Sequence, residues 1–165
     1  MKKIIFSLFA LLFLTSLVSA QVEKHAVGLR FGAGYGMGTE ITYQHGLSDV
    51  NRLELDLEFN GNHEWVDNTQ NNYSSWSVIG LYHWVWDLKD GFKWYAGPGG
   101  KLGTWNSMIY NSRYNNGVLL AAAGDVGIEY SFPAKIQLAL NARPEIGLFN
   151  YGSGLNIGLA VRYQF

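Results

Sequence analysis

The sequence contains no cysteine, so disulfides, thiolate metal sites and thioether-linked lipid anchors are all excluded. Charge of either sign is sparse: 12 Lys+Arg stand against 13 Asp+Glu in 165 residues, too few basic side chains for a face that binds nucleic acid. Past the first 20 residues no apolar run is long enough to cross a bilayer as a helix. Proline is also rare, with 3 in the chain, so long stretches are free to pair as strands.

The amino-terminus supplies what the rest lacks. Lys2 and Lys3 precede an apolar run over residues 4–14, and Val18-Ser19-Ala20 is a small-residue cleavage site. This is the pattern of a secretory signal, with residues 1–20 removed and a mature start at Gln21. The remaining 21–165 are enough for one domain. At the other end Leu155, Ile157, Leu159, Val161, Tyr163 and Phe165 alternate with Asn156, Gly158, Ala160, Arg162 and Gln164. A period of two with one apolar face and one small or polar face suits a strand between lipid and a polar interior.

The same alternation recurs along the chain and predicts eight strands. The first, 25–34, turns Val27, Leu29, Phe31 and Ala33 outward and Gly28, Arg30 and Gly32 inward; the second, 37–45, turns Glu40, Thr42 and Gln44 inward. The third, 52–60, sets Leu53, Leu55, Leu57 and Phe59 against Arg52, Glu54, Asp56 and Glu58. The fourth, 75–86, has an inward face of Ser77, Ile79, Leu81, His83 and Val85, unusually apolar for a lumen. The fifth spans 92–104 with Lys93, Tyr95 and Lys101 inward, the sixth 117–130 with Asp125 and Glu129 inward, and the seventh 135–146 with Lys135, Arg143 and Glu145 inward. Residues 61–74 and 105–116, rich in asparagine, are expected as long polar loops, while 46–51, 87–91 and 131–134 are tight turns. Short turns alternating with long loops are the division found in outer-membrane barrels, and aromatics fall in two bands, including Trp84, Trp86, Phe92 and Trp94 in one and Tyr35, Phe59, Trp76, Phe149 and Tyr151 in the other. The fold class expected is therefore all-β, an eight-stranded antiparallel up-and-down transmembrane β-barrel after a cleaved signal peptide. A lipocalin-like soluble barrel would turn its apolar residues inward instead.

With signal, strands and the terminal Tyr163-Gln164-Phe165 in place, the chain resembles small bacterial outer-membrane β-barrels of the OmpA and OmpX kind. Thr42-Tyr43-Gln44-His45, Asn51-Arg52-Leu53-Glu54, Trp94-Tyr95-Ala96-Gly97-Pro98-Gly99 and Ala142-Arg143-Pro144-Glu145 are similar to a barrel branch common in Bacteroidetes. The resemblance implies fold and an outer-membrane location, with lipid and lipopolysaccharide around the barrel. It also implies that the barrel assembly machinery reads Val161, Tyr163 and Phe165 as a C-terminal insertion signal. It transfers no catalytic site.

The inward residues define a lumen charge network of Arg30, Glu40, Glu54, Asp56, Glu58, Lys101, Asp125, Glu129, Lys135, Arg143 and Arg162. Pairing the second and third strands about Asp49 sets Glu40 opposite Glu58 and Thr42 opposite Asp56, and two facing carboxylates need a cation or a shared proton. Arg30, diagonal to Glu40, is the expected partner; Lys135 is expected to face Glu129, and Arg162 to meet Glu129 or another lumen acid. Such an interior fills an eight-stranded barrel too narrow for an open channel, with a cation or proton site, or conduction through the lumen, as sharper alternatives. Pro98, within Gly97-Pro98-Gly99-Gly100, predicts a bulge or sharp bend, whose functional form is a lateral opening for lipid.

A lipid A or phospholipid-modifying enzyme needs a nucleophile and base in reach, but Ser77 and His83 stand roughly 20 Å apart along one strand face. No cofactor and no metal are expected, since the spacing around His45 and His63 suggests no zinc site. The expected role is structural or adhesive, through loops whose Trp65, Tyr73, Trp105, Tyr110 and Tyr114 suit contact with an extracellular protein or glycan. A narrow ion or small-solute pore is the remaining alternative.

Overall fold

A computed structural model of the chain describes residues 25–34, 36–66, 69–109 and 113–165. Eight strands run in chain order: β1 (His25–Gly34), β2 (Gly36–Gly46), β3 (Asn51–Val66), β4 (Thr69–Lys89), β5 (Phe92–Ile109), β6 (Arg113–Ser131), β7 (Ile136–Phe149) and β8 (Gly154–Gln164). Each pairs antiparallel with its sequence neighbours, and β8 pairs with β1 to close the barrel. Closure leaves no strand of the barrel wall with an unpaired edge.

The two faces sort as the alternation requires. On β8 Leu155, Ile157, Leu159, Val161 and Tyr163 are each 41–54 % exposed on the outside, whereas Asn156, Ala160, Arg162 and Gln164 are buried. The apolar residues point out and the charged residues in, the reverse of a lipocalin-like barrel. β4 obeys the same rule. Ser77, Ile79, Leu81, His83 and Val85 are all buried, and Trp76, Val78 and Trp84 are exposed outside. Its apolar inner face finds partners because Ile79 and Leu81 cluster with Ala123 of β6, while Val85 packs on Tyr95 of β5. These two small apolar clusters sit among the buried charges of the same strands, His83, Lys101, Asp125 and Glu129.

Tight connections lie at one end. Asp90 and Gly91, with φ of 54° and 88°, make the two-residue turn between β4 and β5, a conformation that Asp-Gly adopts readily. Residues 132–135 form the turn after β6, with Lys135 at φ 63°.

At the opposite end the structure departs from expectation. Residues 61–66 and 69–74, read as loop, continue β3 and β4 in ladder as far as Val66↔Thr69, and 105–109 pair with 113–117 to extend β5 and β6. Asparagine is a poor strand former, but pairing within each hairpin satisfies the backbone whatever the side chain. β2 follows β3 only to Asn60, and β7 follows β6 only to Leu120. Beyond the rim β3–β6 therefore continue as a four-stranded sheet. Among the described residues nothing pairs with the outer edges of 61–66 and 113–117; Asn150 Nδ2 caps the Val118 carbonyl at 3.2 Å where the β6 edge begins.

The bulge expected at Pro98 is absent. Leu81↔Gly99 and Trp84↔Ala96 share one register, so the ladder to β4 merely skips 82–83 and 97–98, and pairing with β6 runs through Pro98↔Gly124 unbroken. The missing donor leaves a gap in the ladder and no shift of register. Pro144 leaves the same gap in the β6–β7 ladder, on the far side of Gly124. The register shifts fall elsewhere, at Asp87/Lys89 and Leu120/Ala121.

Candidate functional site

The barrel interior holds five buried cations, Arg30, Arg52, Lys101, Arg143 and Arg162, against seven buried carboxylates. Nearest the projecting sheet, Lys101 Nζ lies 2.5 Å from Glu58 and 3.2 Å from Glu145, and beneath the ring of Tyr151 at 4.8 Å. Ser77 Oγ donates to Glu58 at 2.6 Å, and the Tyr151 hydroxyl donates to Glu145. A cavity of about 30 Å³ opens here, lined by Glu58, Asn60, Lys101, Glu145, Tyr151 and Asn156 among others.

The middle tier centres on Glu40. One of its oxygens meets Arg30, and the other accepts from Arg143 Nη1 at 2.9 Å; Arg143 Nη2 reaches Asp56 at 2.5 Å. Arg30 also donates to Asn141 and Asn156, each at 2.9 Å, and Asn141 passes the chain on to Asp125 at 2.7 Å. Glycine makes this possible: a Cβ at Gly158 would fall on the Arg30 guanidinium. Towards the short turns, Arg162 binds Glu54 at 2.7 Å and Thr42 at 3.1 Å, and Gln44 donates to Glu54 at 2.6 Å. Arg52 grips Glu129 with both terminal nitrogens, at 2.8 and 2.7 Å, and lies over the Tyr95 ring. His83 sits between Asp125, 3.2 Å from its Nε2, and Arg52 Nε, 3.4 Å from its Nδ1.

The register sets Glu40 opposite Glu58 and Thr42 opposite Asp56, as the turn implied. The cations that separate the facing carboxylates are the protein's own, Arg30 with Arg143 for Glu40 and Lys101 for Glu58. Three expectations need correction. Arg30 stands directly opposite Glu40 and not diagonal to it. Lys135 is exposed in the turn, outside the lumen, because its positive φ ends the alternation one residue before β7; Glu129 pairs across the barrel with Arg52 instead. Tyr151 does not join an outer aromatic band but bends over the mouth to Lys101 and Glu145. Arg162 meets a lumen acid, Glu54. Ser77 and His83 engage separate partners, Glu58 on one hand and Asp125 with Arg52 on the other.

Of the aromatic residues expected to make surface contacts, Trp105 lies on β5 in the projecting sheet and is half-buried. Trp65, Tyr73 and Tyr114 have their backbone in that sheet, but their side chains lie outside the described residues, as does Tyr110 altogether, and Tyr35. Among the described residues no group of three or more His, Cys, Asp or Glu could hold a metal ion.

Closed topology, strand number and the apolar exterior over a charged interior define the fold of the small eight-stranded outer-membrane β-barrels. Among solved structures, the N-terminal barrel domain of Pseudomonas aeruginosa OprF is similar at TM-score 0.63 and 17 % identity, over 87 % of this chain and 98 % of that one. Neisserial surface protein A matches at 0.58 and 16 %, over 86 % and 94 %. Ail, the attachment invasion locus protein of Yersinia pestis, solved with the heparin analogue sucrose octasulfate, matches at 0.61 and 9 %, over 86 % and 96 %. No protein-family model matches the sequence, and neither does any curated protein.

Proposed function

We propose that this protein is an integral outer-membrane barrel with a plugged lumen, which binds an extracellular protein or glycan through the sheet that β3–β6 raise above the rim. The observation that carries the reading is the pair of edges at 61–66 and 113–117, which no described residue outside the sheet pairs. Unpaired backbone donors and acceptors along an exposed strand accept a further strand from a partner, and tyrosine and tryptophan on the same hairpins offer amphipathic rings for sugar or protein. The exposed apolar residues around the barrel fit a lipid environment, and an export signal at residues 1–20 with a terminal aromatic fits delivery through the assembly machinery. The cross-barrel ion pairs, together with a cavity at the mouth of about 30 Å³, room for a water or two, support a filled interior over a pore.

Replacing 61–74 and 105–116 by short turns tests the binding role. The shortened barrel should still enter the membrane and still migrate differently before and after boiling. Adhesion of bacteria carrying it to host-cell or matrix-coated surfaces should fall to the level of bacteria without the protein. Adhesion undiminished by the double truncation would rule the reading out.

A further inference from the structure

At the short-turn end two histidines that are 20 residues apart in sequence face each other on the outer surface. His25 of β1 is directly opposite His45 of β2. His25 takes its backbone bond from the other neighbour, since its carbonyl accepts from Phe165 N at 2.9 Å. That leaves His25 and His45 as a non-hydrogen-bonded cross-strand pair, the kind whose side chains approach most closely. Their Nδ1 atoms are 3.4 Å apart.

A direct hydrogen bond accounts poorly for that approach. Each imidazole Nδ1 offers one lone pair or one proton. That of His25 already engages the Tyr43 hydroxyl at 2.9 Å, and 3.4 Å is long for a second bond. The distance does match two ligands of one metal ion: nitrogens at about 2.0–2.1 Å from a tetrahedral centre lie about 3.3–3.4 Å apart. The His25 ring is also held. Phe165 stacks on His25 with centroids 5.4 Å apart, and Tyr43 lies parallel to it on the neighbouring strand at 6.1 Å.

We propose that His25 and His45 form a surface site for one divalent transition-metal ion of the imidazole-seeking kind, such as Cu²⁺, Ni²⁺ or Zn²⁺. The ion takes the His25 Nδ1 lone pair in place of the Tyr43 hydroxyl, which is free to turn away, and solvent or lipid headgroup oxygens complete the coordination. Two neutral imidazoles select such ions over Mg²⁺ and Ca²⁺, which prefer oxygen. Bound there, the ion would tie β1 to β2 beside the β1–β8 seam.

The untagged protein in detergent micelles, titrated with Cu²⁺ and followed by calorimetry and electron paramagnetic resonance, tests this. One ion should bind with hyperfine structure from two imidazole nitrogens, and a large excess of Mg²⁺ should not displace it. His25→Ala and His45→Gln should each weaken binding at least tenfold and remove one nitrogen, with heat-dependent gel migration showing that the barrel has folded; His63→Ala should change nothing. Undiminished affinity in both variants, or a loss in His63→Ala equal to theirs, would overturn the site.

Discussion

Arg143 holds two carboxylates of different strands, Glu40 of β2 and Asp56 of β3, across the barrel from its own place on β7. Both acids and the arginine are buried, so removing the cation strands charge where water cannot replace it. Arg143→Met should lower the unfolding free energy by about 3–5 kcal/mol, read by urea titration of the micellar protein. Lys89→Met, which removes an exposed pair with Asp90 at 3.9 Å, should leave the midpoint where it was. Equal losses in the two variants would show that the lumen pairs are solvated and carry little. At this scale the sequence was informative about which side chains enter the lumen and about partners on adjacent strands, such as Arg30 with Glu40, but silent about partners across the barrel. Alternation assigns a face, and Arg30, Glu54 and Arg162 follow from it. It says nothing of azimuth around a closed wall, so Arg52 reaching Glu129, or Arg143 reaching Glu40, needed the barrel. Lys135 was misplaced because a turn residue at positive φ breaks the parity on which that assignment depends.

At the scale of the strand, β1 and β8 were legible almost residue for residue, because apolar and polar positions alternate without interruption to their ends. β3–β6 were legible only within the barrel. Their extensions show no apolar–polar alternation in the sequence, and pairing between the two halves of each hairpin creates the strands. The register through Pro98 makes a further claim. The proline withdraws one donor on the β4 side without moving either strand. Pro98→Ala should therefore supply an amide that is protected from hydrogen exchange, with the neighbouring register unchanged. A freely exchanging amide at 98 would mean that the wall stands open between β4 and β5. Gly124 is flanked by Pro98 in one ladder and Pro144 in the other, so both gaps fall at one level of the wall.

For the whole molecule, closure turns eight weak alternations into one constraint: every outward set must be apolar at once, and every inward set must find partners at once. That mutual consistency is why the fold was readable from sequence, whereas the His25–His45 pair and the height of the β3–β6 sheet, which depend on register between strands, were not. Apolar residues face outward around the whole wall and mostly polar residues inward. Because the chain has no cysteine, single nitroxide labels can be introduced at 156–163 along β8 without background. In liposomes, labels at 157, 159, 161 and 163 should collide freely with oxygen dissolved in the bilayer, and those at 156, 158, 160 and 162 should be shielded, giving a period of two over the whole strand. The opposite phase, or accessibility to water-soluble nickel chelate at all eight positions, would contradict a barrel that wears its apolar face outward in a membrane.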